Sequence, residues 1–240
     1  MPAGHEDVIQ TGGNWFFTPG DGTRPLAEMI RIYHLTAGRN TLLELDYAID
    51  RRGRIAPHHR IFYDSFGAWL DGCYGTPVVA ARSLSFAAAA EQQQSQQIGP
   101  LNAVVFALEL DVPWSDAVEV DRVVIEEDQS QGQLILSYRI AASLHSSSGE
   151  LLVTLPSFGN GTAVGTRRIQ FAAGHFREQL QQLASTKTPS GRTIDAVVPA
   201  VLKLRLEMTA TANSLPPAVS RFAVFKSCAC PAGSLPDAKC

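Results

Sequence analysis

The first eighty residues alternate strand, helix, strand, helix and then change character, and that pattern limits what they can form. Residues 14–18 (NWFFT) are predicted to be a short buried strand closed by a PGDG turn. Leu26, Met29, Ile30, Tyr33 and Ala37 fall on one face of a helix, with Gly38 where a C-cap glycine belongs. NTLLELDYAI reads as a second strand and RRGR as a turn. A second amphipathic helix runs from about Pro57 to Cys73 and is expected to bury Ile61, Phe62, Phe66, Trp69 and Leu70. Such alternation predicts an α/β architecture with a parallel sheet. Two parallel strands and two helices neither close a sheet nor cover both its faces. Residues 1–82 are therefore expected to be the end of something larger, capped by the strand-rich remainder of the chain or completed by an α/β part upstream.

Residues 83–100 (SLSFAAAAEQQQSQQIGP) have no periodicity and read as a linker or insertion loop. Beyond them strands dominate. In LKLRLEM the alternation is clean, with Leu202, Leu204, Leu206 and Met208 on one side and Lys203, Arg205 and Glu207 on the other. Seven or eight short strands over residues 101–225, with GHFREQLQQLAST as a surface helix, argue an antiparallel β-sandwich. The predicted fold is thus α/β plus all-β.

A formal net charge of -3 offers no basic field for phosphates, so nucleic acid is not an expected partner. No apolar run reaches the roughly 20 residues of a membrane span, and no signal peptide is evident. Three of the four cysteines, Cys228, Cys230 and Cys240, crowd the last thirteen residues, without the paired knuckles of a zinc site. Residues 226–240 are expected to be a frayed tail without metal. Cysteine usage alone leaves the compartment undecided.

Trp15 to Phe17, then Gly38, Arg39, Asn40, Leu42 and Leu43, then Gly53, Ile55, Gly67, Trp69, Tyr74, Gly75 and Thr76, occur in an order that resembles the last βαβα stretch of the barrel of α-L-fucosidases, family 29 of the glycoside hydrolases. VDRVVIEEDQSQGQLILSYRI, GTAVGTRRIQF and LKLRLEMTATANSLPPAVSRFAVF are similar to the galactose-binding or discoidin-like jelly roll that succeeds that barrel. The resemblance spans about Glu6 to Phe225. It implies a retaining glycosidase acting on fucosylated glycans without cofactor or metal, secreted or lysosomal as a whole enzyme. It is also compatible with a homo-oligomer. The family barrel is about twice as long, and its nucleophilic aspartate, in a W-x-D-G setting, has no match here.

Retention needs two carboxyl groups about 5–5.5 Å apart. The resemblance implies Glu6 as the general acid/base; the alternative is a solvated glutamate near a chain end. It likewise implies Trp15, with Phe17 beside it, as walls of the fucose pocket, where an aromatic platform suits a deoxysugar's apolar face. A core role for Trp15 stands beside that reading, and either Phe16 or Phe17 is expected in the core. Asp46 stands where relatives have asparagine, from relaxed constraint or an altered contact. Glu44 and Asp46 share a strand face, as a carboxylate pair or as ordinary exposed residues. His58 and His59 adjoin at a helix start, a poor arrangement for a metal. Asn160-Gly161-Thr162 is both an N-glycosylation sequon and a hairpin-turn signal. HSSSG at His145 lacks hydrolase context and reads as a loop. A non-catalytic carbohydrate-binding or assembly module is the competing function, on fold analogy alone.

Overall fold

A computed structural model of the chain describes residues 5–8, 16–82, 106–185, 199–212 and 217–228. The chain divides into two units, Met1–Thr76 with Ser227–Cys240 and Pro77–Lys226.

The first unit contains a two-stranded parallel sheet, β1 (His5–Val8) beside β2 (Leu43–Asp46), in the register His5–Leu43, Glu6–Glu44, Asp7–Leu45 and Val8–Asp46. The parallel pairing agrees with the strand–helix alternation, but the first strand is HEDV and not NWFFT. Phe16 to Thr18 form no strand, and Phe16 is 85% exposed. The PG turn directly after them, with Gly20 at φ +88°, leaves the aromatics on a bend. The expected core phenylalanine is absent here, because Phe17 is only half-buried.

Helix α1 (Leu26–Leu35) begins after Pro25, whose fixed φ suits a helix entry, and Arg24 pairs with Glu28 at 2.8 Å across the first turn. It ends where the Gly38 amide donates to the Tyr33 carbonyl at 2.9 Å, and Asn40 takes up a φ of 63°. Helix α2 (Pro57–Tyr74) has Pro57 in its first turn. Met29, Ile30, Ile32 and Tyr33 of α1, and Phe62, Phe66, Trp69 and Cys73 of α2, are buried. Tyr33 meets Phe66 and Trp69 edge-on at 6.1 and 5.7 Å between ring centroids. Ile61, expected in this core, is 65% exposed, while His59 takes an inward place on the same helix.

The second unit holds two four-stranded antiparallel sheets. One runs β3 (Val79–Arg82), β10 (Val219–Lys226), β5 (Val120–Glu127), β8 (Arg168–Phe171); the other runs β4 (Phe106–Pro113), β9 (Val201–Thr211), β6 (Ile135–His145), β7 (Leu151–Gly161). Both contribute to one core, including Val123 and Ile125 of β5, Ile140 of β6, Leu204 and Leu206 of β9 and Phe222 of β10. The β9 alternation holds: Leu202, Leu204, Leu206 and Met208 are buried. On the outward side Glu109 accepts from Lys203 and Arg205 at 3.1 and 2.9 Å, and Glu207 accepts from Arg139 at 3.1 Å. Helix α3 (Trp114–Ala117) is a single turn, and α4 (Gly174–Ser185) buries Phe176 and Leu180.

Three boundaries move. Residues 79–82, assigned by sequence to the first segment, pair with β10 and belong to the second unit, because VAAR adds an edge to that sheet. Cys228, assigned to a frayed tail, is bonded to Cys73. Asn160 and Gly161 lie inside β7, opposite Arg139 and Tyr138, and make no hairpin turn. The β6–β7 turn is instead the SSSGE stretch after His145, where Gly149 has φ +84°. The linker at 83–100, together with Cys230 and Cys240, lies outside the described residues.

Candidate functional site at the parallel sheet

In parallel sheets ligands meet the carboxyl ends of the strands, where side chains and loops converge. Here those ends are Val8 of β1 and Asp46 of β2. Glu6 stands on β1, in register with Glu44 of β2. Neighbouring strands lie about 4.8 Å apart, so this register sets two carboxylate residues at adjacent backbone positions. Glu44 is exposed and Asp46 half-buried.

Asp46 leads into Tyr47, whose ring meets Tyr63 of α2 edge-on at 5.2 Å. The Tyr63 hydroxyl donates to the Leu45 carbonyl at 2.7 Å, fixing α2 against β2. Burial, then the neighbouring Tyr47 and Asp46, pushes the Tyr63 phenol up to about 12. The corner therefore offers a carboxylate, an aromatic edge and a phenol that stays protonated. Tyr47 and Tyr63 escaped the sequence reading. The visible signal was a tyrosine directly after a strand's carboxyl end.

Of the other predicted residues, Phe17 is half-buried beside the turn at Gly20, and Trp15 lies outside the described residues. His58 and His59 touch, with ring centroids 4.2 Å apart, although successive helix residues diverge. His59 is 1% exposed and neither ring nitrogen has a hydrogen-bond partner. Burial, then the nearby His58, lowers its pKa, with Asp21 opposing. Among the described residues no three His, Cys, Asp or Glu side chains converge as a metal set. Asn160 is exposed on β7, an outer strand of its sheet.

No family model and no curated protein matches the chain. Among solved structures, the fold is similar to that of a Bacteroides thetaiotaomicron protein assigned as an α-L-fucosidase, at 18% identity and a TM-score of 0.60, over 91% of this chain and 39% of that one. It is similar to a Ruminococcus gnavus family 29 fucosidase solved in complex with fucose, at 17% identity and a TM-score of 0.54, over 94% of this chain and 41% of that one. A family 29 glycoside hydrolase from a rumen bacterium is 21% identical with a TM-score of 0.56, over 97% of this chain and 34% of that one. The chain thus spans well under half the length of the chains it resembles.

Proposed function

We propose that this chain is part of a retaining α-L-fucosidase of glycoside hydrolase family 29. Its first unit would be the terminal βαβα stretch of a (β/α) barrel and its second a discoidin-like jelly roll. The observation that carries this reading is the likeness to fucosidase folds over 91–97% of the chain, across both units. The motif order from Trp15 to Thr76 supports it independently.

In the whole enzyme Glu6 protonates the departing glycosidic oxygen and then takes a proton from the attacking water. An aspartate from a part of the barrel outside these 240 residues attacks the anomeric carbon and carries the glycosyl intermediate. Trp15 and Phe17 wall the apolar face of fucose, and the substrate is an α-linked fucosyl glycan. The Cys73–Cys228 bond and the exposed Asn160 sequon together favour an oxidising, secretory setting with a glycan on Asn160. The rival module reading gains little from the outward face of the β4-β9-β6-β7 sheet, where charge pairs stand in place of an aromatic sugar platform.

Turnover of an aryl α-L-fucoside tests the proposal. The 240-residue chain alone is expected to be inactive, and activity is expected once the remaining barrel is supplied. Glu6→Gln should abolish that activity; undiminished turnover in Glu6→Gln would remove Glu6 from the mechanism.

A further inference from the structure

The first unit exposes apolar surface that the second does not. Seven of the ten exposed large hydrophobic residues belong to it: Phe16, Leu35, Leu42, Tyr47, Ile49, Ile55 and Ile61. They are grouped in the chain around β2. Leu42, 69% exposed, directly precedes the strand; Tyr47 and Ile49 lie just beyond it; and Ile55 is bridged to Ile49. β2 itself pairs with β1 on one edge, and among the described residues no strand pairs with its other edge. Parallel sheets are normally covered on both faces and extended at their edges, and two strands alone are not stable in water. Exposed apolar groups of this kind mark a surface that another polypeptide covers.

We infer that the free edge of β2, with Leu42, Ile49, Ile55 and Ile61 around it, docks a polypeptide built of strand–helix units that continues the parallel sheet. This rests on the fucosidase reading above. The similar solved chains cover 91–97% of this chain while it covers only 34–41% of them, so most of their length is polypeptide with no counterpart here. A second copy is a poor occupant. Two-fold pairing centred on β2 would run antiparallel and set Leu43 opposite Asp46 and Glu44 opposite Leu45, each leucine against a carboxylate. A parallel strand leading into a helix extends the ladder and covers Leu42 and Ile61 with apolar surface.

The test places the photo-crosslinker p-benzoylphenylalanine at Leu42 or Ile61 in the full chain, expressed in the cells that make it. Leu136, an exposed leucine of the second unit, serves as control. The expected result is cross-linking from both test positions, and not from Leu136, to strand–helix polypeptide outside residues 1–240. Leu42→Lys with Ile55→Lys should reduce that yield at least tenfold while the second unit's thermal transition stays in place. Cross-links to a second copy, cross-links confined to the 240 residues, or none, would overturn the docking edge. A cross-linked complex that turns over no fucoside keeps the docking edge and removes the fucosidase reading. Turnover without cross-linking does the reverse.

Discussion

Cys73, in the last turn of α2, is bonded to Cys228, two residues past the end of β10, with Cα atoms 5.4 Å apart. The bond spans 155 positions of sequence and encloses the whole second unit. Closing so long a loop restricts the unfolded chain, by about 5 kcal/mol in the chain-entropy account. Cys73→Ser should therefore lower the stability of the first unit by about 2–5 kcal/mol. Hydrogen exchange should show α1 and α2 losing protection while β6 and β9 keep theirs. Equal loss in both units would show that they do not unfold separately.

His59 makes the first unit acid-sensitive. Its folded pKa lies below the unfolded value of about 6.5, so the unfolded chain takes up a proton that the folded chain refuses. The stability this represents is present above about pH 6.5 and falls as pH drops below it, by at most about 1.4 kcal/mol per pH unit. His58 and Asp21 are the charged neighbours, and the first turn of α2 adds a positive helix end. His59→Leu should flatten the slope in denaturant titrations between pH 7 and 5; an unchanged slope would assign it elsewhere.

Tyr63 governs the alkaline side. Its phenol, raised to about 12, stays protonated in the folded chain when an unfolded tyrosine ionises near 10. Stability should fall as pH rises through 10, and ultraviolet titration should show one late-ionising tyrosine that is missing in Tyr63→Phe.

Glu127, buried on β5, accepts from the amides of Leu134 and Ile135 through one oxygen, at 2.6 and 2.8 Å, and from Gly165 through the other, at 2.9 Å. Glu127→Gln turns an NH2 group toward at least one of these donors. A loss of about 2–3 kcal/mol in second-unit stability is expected. Chemical denaturation of that unit reads it directly.

Gly161 leaves room for Tyr138. A Cβ there would lie 2.7 Å from the Tyr138 hydroxyl oxygen and 2.9 Å from two ring carbons. Tyr138 cannot retreat, since it is 1% exposed and its hydroxyl donates to Gln170 and accepts from Arg168. Gly161→Ala should cost about 1–3 kcal/mol, whereas Asn160→Gln, at an exposed position, should cost almost nothing and only change glycan occupancy.

How much could be read in advance depends on how far each signal extends along the chain. β9 announces itself because LKLRLEM alternates apolar and charged residues and admits one face inward. β1 does not, since HEDV is four residues long and half acidic, too short for a period. The aromatic run at 15–17 looked more like a strand, but composition cannot see that a Pro-Gly turn bends it outward. Asn160-Gly161 suggested a turn because glycine usually means backbone freedom; here it means a missing side chain opposite a tyrosine. The corner at Tyr47 and Tyr63 depends on a hydrogen bond to a backbone carbonyl, and the Cys73–Cys228 bond joins positions far apart in the chain. Neither leaves a local pattern.

The pairing of β3 with β10 carries one more consequence. The Val78 amide donates to the Val224 carbonyl at 2.8 Å, so the chain enters and leaves the second unit side by side. A body whose two ends meet can be spliced into a surface loop of an unrelated host, or closed head to tail, without stretching its own framework. Residues 77–226 are in that sense a portable cassette, transferable as one piece.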